Sequence, residues 1–248
     1  EYYDVLTQKI IAISTSATYD SESSDRLQML LLQRARIISS AQQKLPALLS
    51  LLRHVQKEHQ QCGEEPNGIL IYCSPGGHKE VLRAVAALGL RCHEFVHNVS
   101  LSDREKLLEQ FDNGAIQALV AIKCLDEGVD VPSTKTAFIL ASSTNPREFV
   151  QRRGRILRKA AGKTVAHIYD FLVFPPLARL SLRLGSDLGI LQREMPRFVE
   201  FASSATNQFS ARAVVRDILD RLQMLNLLDE KPWDVYHTLK KWDWSTYE

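Results

Sequence analysis

Residues 68–88, GILIYCSPGGHKEVLRAVAAL, carry the pattern that decides the fold. Gly68–Tyr72 is an almost wholly apolar run, as expected for a strand buried on both faces of a parallel sheet. Ser74–Gly77 interrupts the run, and residues 78–88 then place apolar side chains at helical spacing. A strand, a turn and a helix in this order are typical of α/β layer architectures.

The same switching between strand-like and helix-like patterns continues to residue 174. We therefore predict a parallel sheet flanked by helices over residues 63–174, with 1–62 and 175–248 as helical flanks. Further strands are predicted at residues 90–96, 117–122, 136–141 and 165–171.

Local signals predict several helix ends inside this α/β segment. Ser102 with Glu105 forms a capping-box pattern and predicts a helix start. Asn145 followed by Pro146 predicts a second start, and Gly154 predicts the end of that helix.

Leucines at steps of three and four predict two or three amphipathic helices over residues 1–62, with Ser39 and Ser40 at a capping position. The C-terminal flank alternates arginines with apolar residues and ends in aromatic residues. Docking on a neighbouring domain is the favoured interpretation, and stacking on single-stranded bases is the alternative. The predicted core of this flank is Phe198, Phe201, Val214, Ile218, Leu219, Leu222 and Leu225.

The overall charge is nearly balanced, with 31 Lys or Arg and 29 Asp or Glu in 248 residues. This balance excludes a histone-like polycation and an acidic tail. No apolar run approaches the ~20 residues that cross a bilayer, so we expect a soluble protein. The spacing of the four cysteines matches no zinc or redox pattern, so we expect reduced cysteines in a cytoplasmic protein. Cys92, His93 and His97 lie close in sequence, but ordinary surface and core roles are favoured, so no metal site is predicted.

Residues 151–158, QRRGRILR, are the strongest chemical signal. Between Arg147 and Lys163 there are seven positive residues and one negative residue. A solvated basic face is one interpretation. The other is bidentate capture of phosphate by guanidinium groups in a glycine-containing turn after a helix.

Residues 119–132, LVAIKCLDEGVDVP, join an apolar strand to a loop with three carboxylates. Ligands of open α/β sheets bind beyond the carboxyl ends of the strands. General acid–base chemistry, hydrogen bonds to ribose hydroxyls and simple turn capping all fit these residues.

Together the two segments resemble motifs V and VI of superfamily 2 helicases, and the strand, Ser74 turn and helix resemble motif IV. The resemblance covers about residues 68–171. DEG in motif V and QRRGR in motif VI are similar to the branch of restriction-enzyme motor subunits and excision-repair-type helicases. The implied fold is the second RecA-like lobe of a two-lobed motor.

Motif VI then implies roles at the ATP site. Arg155 and Arg158 match the arginine fingers that reach the γ-phosphate of ATP bound on the first lobe. Gln151 and Arg152 match the start of the motif, which borders the nucleotide.

Motif V implies further nucleotide contacts at Gly128 and Asp130, with the aspartate at the ribose. Ile122 departs from the family pattern, because the threonine that is common there would supply a hydroxyl. A plain turn at Ser74 and a surface role for Arg104 are the alternatives to nucleic-acid contact. By resemblance, the residues assigned to the nucleic-acid backbone are Ser74, Gly76, Lys123 and Arg104.

The phosphate-binding and metal-binding motifs of a first lobe are missing from the sequence. Gly162–Thr164 reads GKT, but Leu157 stands where the P-loop pattern needs glycine, so a hairpin turn is predicted there. No D-E-x-H sequence is present to hold Mg²⁺. Because the first residue is Glu1, we expect a fragment of a longer protein, with ATP and Mg²⁺ bound mainly by the missing N-terminal lobe.

The expected function is the second motor lobe of an ATP-dependent DNA helicase or translocase. The isolated chain is expected to be inactive as an ATPase. The expected partners are DNA, the N-terminal RecA-like lobe and other subunits of a restriction, defence or repair complex, with no membrane. A non-catalytic lobe that binds nucleic acid or protein and an RNA-directed motor are the alternatives.

Overall fold

The chain divides into two structural units. One unit comprises residues 39–142 and 150–171, and the other comprises residues 1–38, 143–149 and 172–248. The computed structural model describes residues 2–15, 21–96, 100–122, 131–176 and 185–244.

The first unit contains a five-stranded sheet in which every pairing is parallel. The spatial order is β2-β3-β1-β4-β5, with β1 at the centre. Each predicted strand is confirmed, and the α/β prediction with it. The strands are β1 Ile69–Tyr72, β2 Cys92–Phe95, β3 Ala118–Ala121, β4 Thr136–Ile139 and β5 His167–Asp170.

Helices flank this sheet and make up most of the second unit. A 3₁₀ turn at Leu225–Leu228 separates the last two helices. The helices are α1 Tyr2–Ser14, α2 Ser21–Ser39, α3 Lys44–Gln61, α4 His78–Ala86, α5 Leu101–Asp112, α6 Pro146–Ile156, α7 Gly185–Ser203, α8 Gln208–Arg221 and α9 Pro232–Trp244.

The core of the sheet unit lies around β1, β3 and β4, whose residues are buried along their whole length. Helix α3 contributes Leu48 and Leu52 to the same apolar cluster. Phe138 of β4 stacks on Tyr169 of β5 with 4.9 Å between ring centroids. Because α3 packs on the sheet, this unit begins earlier than the predicted residue 63.

Two helix-boundary predictions in this unit are wrong. Ser100, not Ser102, caps α5: its Oγ accepts the Asp103 amide at 3.2 Å and donates to the Asp103 carboxylate at 2.7 Å. The cap of this helix therefore stands two residues earlier than predicted. Helix α6 continues through Gly154 to Ile156, so its arginines stand on a helix and not in a turn.

Other local predictions also change. Ser39 is the last residue of α2, and α3 starts after Gln43, so neither predicted serine caps α3. Val214 is 76% exposed, and its neighbour Val215 occupies the core position. The turn around Gly162 joins α6 to a parallel strand and is therefore not a hairpin.

The second unit has its own apolar core, formed by α7, α8 and the 3₁₀ turn around Leu191, Met195 and Leu219. A buried ion pair joins Arg197 to Glu194 at 3.2 Å within α7. Within the described ranges, no helix combines the length and apolarity needed to cross a membrane.

Candidate functional site at the carboxyl edge of the sheet

Strands β1 and β4 are neighbours, but the chain leaves them in opposite directions. From β1 it passes through α4 towards β2, and from β4 it passes through α6 towards β5. A crevice at the carboxyl ends of such a strand pair is the usual ligand position in open α/β sheets. A cavity of about 380 Å³ opens here, and Lys44, Cys73, Ser74, Glu80 and Leu140 are among its lining residues.

Two buried groups line this cavity. Lys44, in the first turn of α3, donates from Nζ to the Leu140 carbonyl at 2.6 Å and so ties α3 to the end of β4. Burial raises the pKa of the Cys73 thiol to about 12. Cys73 is therefore neutral at physiological pH and is a weak nucleophile.

The predicted motif IV turn precedes α4, as expected. Gly77 donates its amide to the Ser74 carbonyl at 3.2 Å, so this amide is engaged within the turn. Gly76 has φ of 91°, and a Cβ there would meet open space. Ser74 is half-buried and Gly76 is exposed, so both remain candidates for an anion contact at this helix start.

The arginines of α6 divide between two faces of the helix. Arg152 and Ile156, one turn apart, are buried. Gln151 and Arg155 are also one turn apart, the first exposed and the second half-buried, and Arg158 is exposed two residues past the helix end. The two predicted fingers are therefore more exposed than Arg152, and only Arg155 stands on the helix itself.

Arg152 is 4% exposed and contacts the end of β1. Its guanidinium lies over the Tyr72 ring at 4.8 Å from the centroid. Its Nη1 donates to the Ser142 hydroxyl at 2.8 Å, three residues beyond β4. Arg152 thus links α6 to β1 and to the segment after β4, and its predicted contact with nucleotide stays a prediction.

Substitution of Arg152 by methionine should lower the free energy of unfolding by about 2–4 kcal/mol, because a buried cation–π contact and a charged hydrogen bond are lost. Substitution of the exposed Arg158 by methionine is the control and should cost under about 1 kcal/mol. Urea unfolding measures both values. Equal losses in the two variants would contradict a structural role for Arg152.

Lys163 lies at the C-terminal end of α6. Its Nζ donates to the carbonyls of Ile156 at 2.5 Å, Arg158 at 3.0 Å and Pro132 at 3.1 Å. Burial lowers the pKa of this ammonium. The charge pattern identified Lys163 only as one of seven cations, although a lysine shortly after a helix is a recognisable signal for capping.

Residues 43–160 match the family model of the helicase conserved C-terminal domain. This segment belongs to that family. The match includes the motif IV turn, the sheet strands β1 to β4 and all of α6. The predicted superfamily 2 lobe and its RecA-like fold are therefore confirmed, and the narrower branch stays a prediction.

Individual relatives of this helicase domain match parts of the chain. The DNA 3′-5′ translocase XPB2 of Sulfurisphaera tokodaii is 44% identical over 57 residues, which are 23% of this chain and 13% of that protein. The DEAD-box ATP-dependent RNA helicase 53 of Oryza sativa is 27% identical over 195 residues, covering 75% of this chain and 31% of that protein. The chain thus spans less than a third of either relative's length.

Among solved structures, the C-terminal domain of the DEAD-box protein Dbp5 is similar to this chain at 14% identity and a TM-score of 0.46. That match covers 70% of this chain and 90% of the Dbp5 domain.

The remaining predicted residues of the helicase domain are distributed as follows. Arg104 is half-buried in the first turn of α5, which follows β2 at the same sheet edge as the Ser74 turn. Ile122 directly follows β3, and its amide donates to the Phe95 carbonyl at 3.4 Å. Lys123, Gly128 and Asp130 lie outside the described residues. Among the residues that are described, no group of three or more His, Cys, Asp or Glu side chains is placed to hold a metal.

Proposed function

We propose that this chain is the second motor lobe of an ATP-dependent DNA helicase or translocase. In this proposal Arg155 and Arg158 act as arginine fingers on ATP held by an N-terminal lobe. The observation that carries the proposal is the arrangement of α6, where Arg155 lies one turn from Gln151 and Arg158 follows the helix end, while Arg152 is buried against Tyr72.

A finger needs a permanent positive charge in a reproducible position. Arginine remains protonated in proteins, and its planar guanidinium matches phosphate oxygens in a bidentate geometry. Arg155 lies in the last turn of α6, so the helix restricts its position, and Arg158 lies two residues past the helix end. ATP and Mg²⁺ would be bound mainly by the first lobe, with Gln151, Gly128 and Asp130 bordering the nucleotide from this one.

The proposed path of the nucleic-acid backbone follows the carboxyl edge of the sheet. Ser74 and Gly76 stand before α4, and Arg104 stands in the first turn of α5. Lys123 follows β3 in sequence and belongs to the same proposed path. DNA is favoured over RNA because DEG and QRRGR resemble the branch of restriction-enzyme motors and excision-repair-type helicases, and a match at 44% identity to a DNA translocase supports this choice.

The proposal is tested by comparing ATP hydrolysis by the 248 residues alone with hydrolysis by the protein that contains the N-terminal lobe. The chain alone should release no phosphate with or without nucleic acid, because its sequence has no P-loop. The two-lobed protein should show nucleic-acid-stimulated turnover. If the chain alone hydrolysed ATP and Arg155→Ala abolished that hydrolysis, the proposal that the N-terminal lobe binds the ATP would be contradicted.

The nucleic acid in the same assay distinguishes the remaining possibilities. Single-stranded DNA and RNA are compared at one fixed salt concentration, since affinities for nucleic acid fall steeply with salt. Greater stimulation by DNA supports the proposal, and greater stimulation by RNA favours an RNA-directed motor, the class in which the rice relative is named. Stimulation by neither polymer favours a non-catalytic lobe.

A further inference from the structure

Lys163 has a complete set of hydrogen-bond acceptors. An ammonium group offers three protons. Here three main-chain carbonyls receive them, from Ile156, Arg158 and Pro132. This is an unusual use of a lysine from a basic segment, because none of these acceptors is a carboxylate or a phosphate.

The local backbone directs this side chain back over the end of α6. The Lys163 amide donates to the Ala160 carbonyl at 3.2 Å, which closes a turn after the helix. Gly162 within this turn has φ of 70°, a conformation that favours glycine. The turn therefore brings the Lys163 side chain back to the C-terminal end of α6.

One of the three bonds completes the C-terminal end of the helix, and a second goes to the Arg158 carbonyl just past that end. The last carbonyls of an α-helix have no partner within the helix. Leu157 donates to the Arg153 carbonyl at 2.9 Å and Arg158 donates to the Arg155 carbonyl at 3.3 Å. The Lys163 ammonium then donates to the Ile156 carbonyl, and its positive charge is favourable at the C-terminal end of the helix dipole.

The third bond goes beyond helix capping. Pro132 is 31 residues earlier in the chain and belongs to the loop that leads into β4. A lysine that only capped α6 would not need this acceptor. Lys163 therefore joins the end of α6 to a separate segment of the sheet unit.

We propose that Lys163 is a positioning residue for Arg155 and Arg158. It holds the last turn of α6 against the Pro132 loop and so sets the position from which both guanidinium groups extend. This inference rests on the proposed finger function of the two arginines. Lys163 itself contacts neither ATP nor the reacting phosphate in this role.

The test uses Lys163→Met in the protein that contains the N-terminal lobe. Lys159→Met is the matched control, because it removes an exposed lysine from the same basic segment. We expect Lys163→Met to lower kcat by roughly 10-fold to 100-fold, with KM for ATP changed by less than about twofold, since misplaced catalytic groups mainly weaken transition-state binding. Lys163→Gln is a milder variant, because glutamine retains two hydrogen-bond donors. Its kcat should lie between those of the wild type and Lys163→Met.

Amide hydrogen exchange provides a readout that does not depend on ATP. In Lys163→Met, exchange should accelerate by at least about fivefold at Leu157 and Arg158 and also at Thr134, whose amide closes the loop at Pro132. Lys159→Met should change neither region. Unchanged exchange in Lys163→Met would overturn the connection between the two segments, whatever happens to turnover.

The two readouts also separate this inference from the proposed function. If Arg155→Ala lowers kcat but Lys163→Met does not, the connection is structural only and the positioning role is wrong. If Arg155→Ala leaves kcat unchanged, the finger function fails first and the positioning role fails with it, while hydrogen exchange still decides whether Lys163 holds the two segments together.

Discussion

Arg155→Ala should lower kcat of the two-lobed protein by roughly 10³-fold, with KM for ATP changed by less than about threefold. The large effect is expected because a finger neutralises charge that develops on the transferred phosphoryl group, in a site where water is largely excluded. Alanine retains the helix but removes the guanidinium. Steady-state phosphate release at saturating nucleic acid measures the loss.

Arg153→Ala is the matched control for this prediction. It removes an arginine from the same helix, two residues away and equally half-buried, and should change kcat by less than about threefold if only the finger face matters. Arg155→Lys should recover a part of the lost activity, because lysine supplies charge without the bidentate geometry. Equal losses in Arg155→Ala and Arg153→Ala would show that the basic segment acts only through its total charge.

Gly68→Ala should be strongly destabilising, by about 3 kcal/mol or more. Gly68 has φ of 67°, and a Cβ there would lie 2.6 Å from the Ser133 carbonyl oxygen and 3.1 Å from the Lys135 amide nitrogen. Both contacts are with main chain that cannot move aside cheaply. The Gly68 carbonyl also accepts the amides of Lys135 and Thr136, so any shift disturbs the start of the β1–β4 pairing.

Gly89→Ala separates backbone strain from this close approach. Gly89 has φ of 79°, but a Cβ there would have no atom within 4 Å. Gly89→Ala should lower the free energy of unfolding by about 1 kcal/mol, which is the strain of an alanine in the left-handed conformation. Urea unfolding of both variants gives the comparison, and a difference below about 0.5 kcal/mol would mean that the Ser133 contact relaxes without cost.

The sheet was accessible to prediction because its central strands are continuous apolar runs separated by turn residues. Ile69–Tyr72 and Ala118–Ala121 could be placed from this pattern to within two residues. Helix ends were less predictable. Gly154 resembles a helix terminator, yet α6 continues past it to Ile156. The Ile156 carbonyl accepts a hydrogen bond from Lys163, seven residues further along the chain.

The candidate site was predicted in part for a similar reason. The resemblance to helicase motifs identified α6 and its arginines, but a count of charges cannot distinguish their surroundings. Arg152 is buried on Tyr72, and Lys163 is engaged by three carbonyls. Both arrangements depend on segments distant in sequence, which only the folded chain brings together.

The position of β1 has a consequence for synthesis on the ribosome. Ile69 pairs with Ala118 on one side and with Thr136 on the other, so both partners of this apolar strand are made after it. At roughly 5–20 residues per second, β1 waits about 2–10 s for its first partner and longer for its second. During that interval the strand that becomes the centre of the sheet has two open edges, the condition under which nascent chains associate wrongly. A strand that is fully buried in the finished domain is thus open to misassembly while the domain is being made.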